Sequence, residues 1–271
     1  MKGEAPFLSV VVPVHNEEET VERNFKHIVA FLRKSKWTFE IVAVNDGSTD
    51  GTGRLLEKTS SQIPEMVVVS YPQNAGKGNA LQKGISATQG KWVLTLDADL
   101  ELPVELLNSF FEAQRRTGAQ VVIGSKWHPD SKVEYPSTRK FLSKGLHLLV
   151  RMLFPLNVTD SQVGIKLIEG DSARFMNRIT LVKRFAWDIE FLLAARVAHL
   201  KISEAPITLR FGREGIGRVR MKSILQICRE LAGTWYRHYL QNYYSGVLIP
   251  RISDSQSPGT SPSVVWNRGT N

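Results

Sequence analysis

Asp97 and Asp99 stand two residues apart, directly after the apolar run Trp92-Val93-Leu94-Thr95-Leu96. Residues two apart in an extended segment point to the same side, so the two carboxylates converge. Like charges that close repel unless a cation sits between them. Mg²⁺ or Mn²⁺, held by one or two carboxylates and completed by substrate phosphates, fits that requirement. Helix N-capping is the competing use for Asp99, because a helical pattern starts near Pro103. Two other loops carry carboxylates after apolar runs: Pro13-Val14-His15-Asn16-Glu17-Glu18 and Asn45-Asp46-Gly47-Ser48-Thr49-Asp50. Taken singly, these are explained as a helix cap at Asp50, a turn at Gly47 and solvation of a helix start at Glu17–Glu19. A fourth loop, Asn74-Ala75-Gly76-Lys77-Gly78-Asn79, combines glycines that let a ligand approach the backbone, a cation and a helix start that favours an anion. Its spacing matches neither the Walker A pattern nor the GxGxxG fingerprint, so it points to a phosphate-bearing ligand outside those two classes.

The elements that must position these loops are legible in the hydrophobic pattern. Nearly continuous β-branched runs at Phe7–Val14, Phe39–Asn45, Met66–Tyr71, Lys91–Leu96 and Gln120–Ile123 read as strands covered on both faces. Helical patterns at Glu18–Arg33, Asp50–Ser60, Gly78–Thr88 and Pro103–Thr117 separate them. This alternation predicts an α/β fold with a mostly parallel sheet flanked by helices. Ligands then sit beyond the carboxyl ends of the strands, where all four loops open.

After Gly124 the pattern changes. A polar loop, Lys126–Pro136, leads to a predicted helix over Ser137–Phe154 with a basic stripe of Lys140, Lys144, His147 and Arg151. It reads either as an interfacial helix or as an ordinary surface helix. A second amphipathic helix is predicted over Val219–Leu240, with Met221, Leu225, Cys228, Ala232 and Trp235 along one side. From 241 to 271 the chain loses periodicity and reads as a mobile tail. The expected organisation is a single domain over 1–240, its halves being 1–124 and 125–240.

The 271 residues carry a formal charge of +9, and the excess is localised. Residues 1–120 hold 13 basic against 15 acidic side chains, whereas 121–271 hold 22 against 11. The lone Cys228 excludes an intramolecular disulfide and a cysteine zinc site, which favours a reducing compartment. No run reaches the roughly 18 to 20 uncharged apolar residues of a membrane-spanning helix, and Lys2 and Glu4 open the chain without a signal-peptide stretch. Basic clusters interleaved with aromatics are missing, which argues against nucleic acid.

In this order after successive strands, PVHNEE, NDGSTD, NAGKGNA and DADL resemble the family 2 glycosyltransferases of GT-A (Rossmann-like) fold, which use nucleotide-sugar donors. The second half narrows the likeness through Gly124-Ser125-Lys126, Arg139 and Ser143, Asp160-Ser161-Gln162-Val163-Gly164-Ile165-Lys166 and Trp187-Asp188-Ile189-Glu190. That series is similar to the dolichyl-phosphate glucosyltransferases and polyprenyl-phosphate mannose synthases, over about residues 7–240. The resemblance implies that Pro13, Glu17, Asp46 and Ser48 hold the nucleotide, with Lys77 nearby, Asp97 near the sugar and Asp99 on a Mg²⁺ or Mn²⁺ ion. It further implies that Lys126, Arg139 and Ser143 hold the acceptor phosphate, that Gln162 and Lys166 belong to the acceptor side, and that Asp188 occupies the base position. Arg213 and Arg218 would add cations there. The sequence departs from the family at Lys126, usually arginine, and at Gly215-Ile216-Gly217-Arg218, where the family closes with Gly-x-Ser-Lys.

The implied reaction is inverting and metal-dependent, with UDP-glucose as donor and a polyprenyl or dolichyl phosphate as acceptor. GDP-mannose as donor, or a soluble sugar or protein acceptor, is the alternative. An enzyme of this kind would work peripherally, at the cytoplasmic face of a membrane.

Overall fold

The computed structural model describes residues 4–133, 145, 148–209 and 221–247. The first half follows the expected alternation: β1 (Leu8–Val14), α1 (Val21–Arg33), β2 (Phe39–Asp46), α2 (Thr52–Ser60), β3 (Met66–Tyr71), α3 (Lys77–Ala87), β4 (Trp92–Thr95), α4 (Leu107–Thr117) and β5 (Val121–Ser125). A 3-10 turn at Val104–Leu106 leads into α4. The second half holds β6 (Lys132–Val133), a helix described over residues 148–153 (α5), β7 (Lys166–Glu169), α6 (Gly170–Ile179), α7 (Trp187–Val197), β8 (Ile202–Pro206), β9 (Thr208–Leu209) and α8 (Met221–Tyr239).

Seven strands form the main sheet in the order β3-β2-β1-β4-β7-β5-β8. All pairings are parallel except those of β7, which runs antiparallel to β4 on one side and β5 on the other. Alternation along the strands divides the core in two. Leu8, Val10, Val12 and Val14 pack with α1, α2 and α4, whereas Val11, Val42 and Val44 face α3, α6 and α7.

The hydrophobic pattern missed most of the second half for physical reasons. Strand β7 is four residues long and opens on a lysine, so nothing in it reads as a buried strand. Helix α7 is apolar on nearly every side because Trp187 through Ala195 are all buried, which erases the amphipathic signal. The predicted stripe Leu225, Cys228, Ala232 and Trp235 faces outward, while α8 packs inward through Leu231 and Thr234. Beyond α8 the chain folds back over residues 241–247, and Tyr244 is fully buried.

The loop before β7 is fixed to β4 by a buried hydrogen bond from Thr95 Oγ1 to the Gly164 carbonyl, 2.8 Å. Replacing Thr95→Val keeps the shape but leaves that carbonyl unpaired, so the urea midpoint is expected to fall by the equivalent of about 1–3 kcal/mol. Equilibrium denaturation followed by circular dichroism checks this.

Candidate active site

The carboxyl ends of β1, β2 and β4 border a cleft of about 400 Å³, lined among others by Pro13, His15, Glu17, Asp46, Lys77, Asp97 and Asp99. Six of the sequence-predicted site residues thus meet at one place. Ser48 stands outside this wall, and its hydroxyl accepts the Asn16 N–H at 3.1 Å.

Asp46 is buried and fully engaged by the glycine loop. Its Oδ1 accepts the Ala75 N–H at 2.7 Å, and its Oδ2 accepts the Gly76 N–H at 3.0 Å and Asn74 Nδ2 at 3.1 Å. The carboxylate therefore shapes residues 74–76 as well as lining the cleft. Gly76, just before α3, adopts φ +99°, a conformation that disfavours other residues. It also has no room for a side chain, since a Cβ there would lie 2.4 Å from Arg184 Cγ.

Lys77, the first residue of α3, reaches Asp97 Oδ1 at 2.5 Å. Desolvation opposes its charge, but Asp97, Asp188 and Asp99 outweigh this and hold the ammonium above the ordinary lysine range. Asp99 moves the other way for a carboxylate. Desolvation first, and then the charges of Asp97 and Glu17, raise it above the usual aspartate range. Its Oδ1 accepts the Glu101 N–H at 3.1 Å, a local turn contact. Both aspartates line the cleft, and Lys77 pairs with Asp97.

Among the described residues no group of three His, Cys, Asp or Glu side chains could hold a metal ion by itself. Two oxygen donors without nitrogen or sulfur fit a hard divalent cation whose remaining ligands come from a bound diphosphate. Asp97 and Asp99, which both line the cleft, are the residues that could hold such an ion.

On the other side of β4, antiparallel β7 sets Lys166 opposite Thr95. Lys166 is 1 % exposed, and its Nζ lies 2.5 Å from Asp188 Oδ1 and 2.5 Å from the Val163 carbonyl. The lysine is turned inward onto Asp188, in the first turn of α7. Lys126 is likewise engaged, its Nζ 3.4 Å from the buried Asp160, whose Oδ1 also accepts the Gln162 N–H at 3.3 Å. Arg139, Ser143, Arg213 and Arg218 lie outside the described residues.

Sequence reasoning missed Arg184 and Phe185, which complete the cleft wall from the strap of residues 180–186 between α6 and α7. The available signal was a basic pair, Lys183-Arg184, just ahead of the Trp187-Asp188 motif.

The chain belongs to glycosyl transferase family 2, whose model matches residues 9–172. A dolichyl-phosphate beta-glucosyltransferase of Trichomonas vaginalis is 34% identical over 210 residues, covering 74% of this chain and 65% of that protein. The human dolichyl-phosphate beta-glucosyltransferase is 30% identical over 214 residues, covering 74% and 66%. The chain therefore spans about two thirds of the length of these relatives. Among solved structures, glucosyl-3-phosphoglycerate synthase of Mycobacterium tuberculosis with UDP superposes with a TM-score of 0.63 at 20% identity, covering 85% of this chain and 80% of that one. The same enzyme with Mn²⁺, UDP-glucose and phosphoglyceric acid gives 0.62 at 19% identity, with the same coverage. The fold is thus a GT-A-like α/β fold, as the sequence pattern indicates.

Removing the cation from the buried pair leaves Asp188 without compensation. Lys166→Met is expected to cost about 3–5 kcal/mol in urea unfolding, and the double variant Lys166→Met/Asp188→Leu to recover most of the loss.

Proposed function

We propose that this chain transfers glucose from UDP-glucose to the phosphate of a polyprenol such as dolichol, with inversion at the anomeric carbon. The observation that carries the reading is the convergence of Asp97, Asp99 and Lys77 on one cleft at the carboxyl ends of β1, β2 and β4. The relatives named as dolichyl-phosphate beta-glucosyltransferases support the acceptor and favour glucose over mannose. The GT-A-like neighbour crystallised with Mn²⁺ and UDP-glucose supports the donor and the divalent ion.

In this reading Pro13, Glu17 and Asp46 border the nucleotide, and Ser48 supports the Asn16 turn beside it. Asp99, with Asp97 next to it, would hold Mg²⁺ or Mn²⁺ against the donor diphosphate. The ion would supply charge stabilisation for the departing nucleotide. Lys77 and the N–H groups at the start of α3 add to that stabilisation from the protein itself. An oxygen of the acceptor phosphate attacks C1 of the glucose, the bond from C1 to the UDP oxygen breaks, and UDP leaves with the electron pair. The acceptor is an anion already, with a second pKa near 6, so it needs positioning more than deprotonation. Asp188, locked by Lys166, fits an orienting role. The cationic groups for the acceptor phosphate are Lys126, Arg139, Arg213 and Arg218, with Ser143 and Gln162 as hydrogen-bonding partners.

Lipid contact has its own support on the surface. Among the described residues no helix is long and apolar enough to cross a membrane. Yet α8 exposes Leu225, Trp235, Tyr236 and Tyr239, with Leu240 directly after it, and α5 exposes Leu148 and Met152 beside Arg151. Aromatic and aliphatic side chains with a few cations suit the interfacial region of a bilayer. The free thiol of Cys228 is exposed on the same helix, which agrees with a reducing, cytoplasmic side.

The test is a donor panel of UDP-glucose and GDP-mannose with a polyprenyl phosphate, with 3-phosphoglycerate as the soluble acceptor, in the presence of Mg²⁺ or Mn²⁺. UDP release and a β-linked glucosyl phosphate are expected only with UDP-glucose and the lipid acceptor. Asp99→Ala is expected to reduce turnover by at least 100-fold. Release of neither nucleotide with any combination would refute the reading.

A further inference from the structure

Glu190, two residues after Asp188, carries a carboxylate that is completely buried. Its Oε2 accepts the N–H groups of Leu181 and Val182 at 2.8 and 2.6 Å, both in the strap that walls the donor cleft. Its Oε1 accepts Arg237 Nη2 of α8 at 2.7 Å and the hydroxyl of Tyr244, beyond α8. A second carboxylate repeats the arrangement at the far end of the strap. Glu230 of α8 accepts the Ala186 N–H at 2.9 Å. Both ends of the strap are thus tied to the C-terminal segment through an acid.

The opposite side of the strap bears on the donor loop. The Lys183 carbonyl accepts the Asn79 N–H at 2.7 Å, and Gln82 Nε2 donates to the Thr180 carbonyl at 2.7 Å. A Cβ at Gly78 would stand 2.7 Å from the Lys183 carbonyl carbon, as one at Gly76 would clash with Arg184. Strap backbone lies directly against the first turn of α3, so a shift of the strap bears on the segment that carries Gly76 and Lys77.

Stability alone does not call for a carboxylate at this position. Replacing a buried ion pair with apolar side chains of similar volume is often neutral or stabilising. What an apolar side chain cannot do is receive two strap N–H groups and two donors from another segment at once. The donors hold their form: burial, and then the charge of Glu190, keep the Tyr244 phenol protonated well above the ordinary tyrosine range. For Arg237, burial works against the charge, but Tyr244 and Glu190 outweigh it.

We propose that Glu190 is a positioning residue for the donor cleft, fixing the strap to α8 and Tyr244 and thereby setting where Arg184, Phe185 and Lys77 stand. The inference rests on the donor reading given above. It touches neither donor nor acceptor directly.

Two conservative variants of the full chain test it, Tyr244→Phe and Glu190→Gln. The measurements are the UDP-glucose dissociation constant with Mn²⁺ by calorimetry, amide hydrogen exchange over residues 180–186, and the thermal midpoint. In both variants the dissociation constant is expected to rise about 10-fold, or about 1.4 kcal/mol, with faster exchange in the strap. Leu231→Val, a control in the same interface, is expected to lower the midpoint and leave donor affinity within twofold. A dissociation constant unchanged in both variants, or an unchanged strap exchange rate, overturns the inference. A wild-type chain that binds no UDP-glucose overturns the donor reading instead, and the exchange rates then decide whether the tie exists.

Discussion

A lysine ammonium inside a β-sheet is tolerable only if an anion meets it, and the pairing of Lys166 with Asp188 is the constraint on which the rest of the site depends. Lys166 enters on β7, the one strand of the main sheet that runs against its neighbours. Asp188 enters on α7, at the helix end where the dipole favours a carboxylate. Joining them holds α7 against β7, which itself pairs with β4 of the first half. It also places Asp188 close enough to bear on Lys77, so the two halves share one electrostatic field around the cleft.

Within that field the carboxylates divide by their partners. Asp46, Asp160 and Glu190 are buried and accept backbone N–H groups, and each organises a loop: residues 74–76, the turn at 160–162, and the strap. Asp99 differs. Its Oδ1 accepts a local N–H, and desolvation and neighbouring charge disfavour its ionised form. A carboxylate in that condition gains most from an added cation. Asp97, beside it, is already paired with Lys77.

Glycine supplies the other half of the geometry. At Gly76 the backbone turns into the left-handed region while Arg184 fills the space a side chain would need. The close approach that suggests a ligand-facing loop is therefore shared with the strap. One face of the loop is open to the cleft and the other is braced by protein.

The sequence by itself determined the first half almost completely. Its strands are rich in β-branched residues and, apart from edge strand β3, largely buried, so their pattern is local, and the loops carrying Glu17, Asp46, Lys77, Asp97 and Asp99 had to open on one edge once those strands were parallel. Tertiary structure alone decided the rest. Lys166 reads as part of an acceptor-side motif, and only the antiparallel run of β7 and the position of α7 show it buried against Asp188. Arg184 and Phe185 carry no motif and reach the cleft because α6 and α7 hold the strap across α3. Tyr244 sits in a stretch whose composition resembles a tail, yet it is buried against Glu190, 54 residues earlier in the chain. In each case the deciding contact joins residues far apart in sequence, and no local pattern of hydrophobicity or charge records such a pairing.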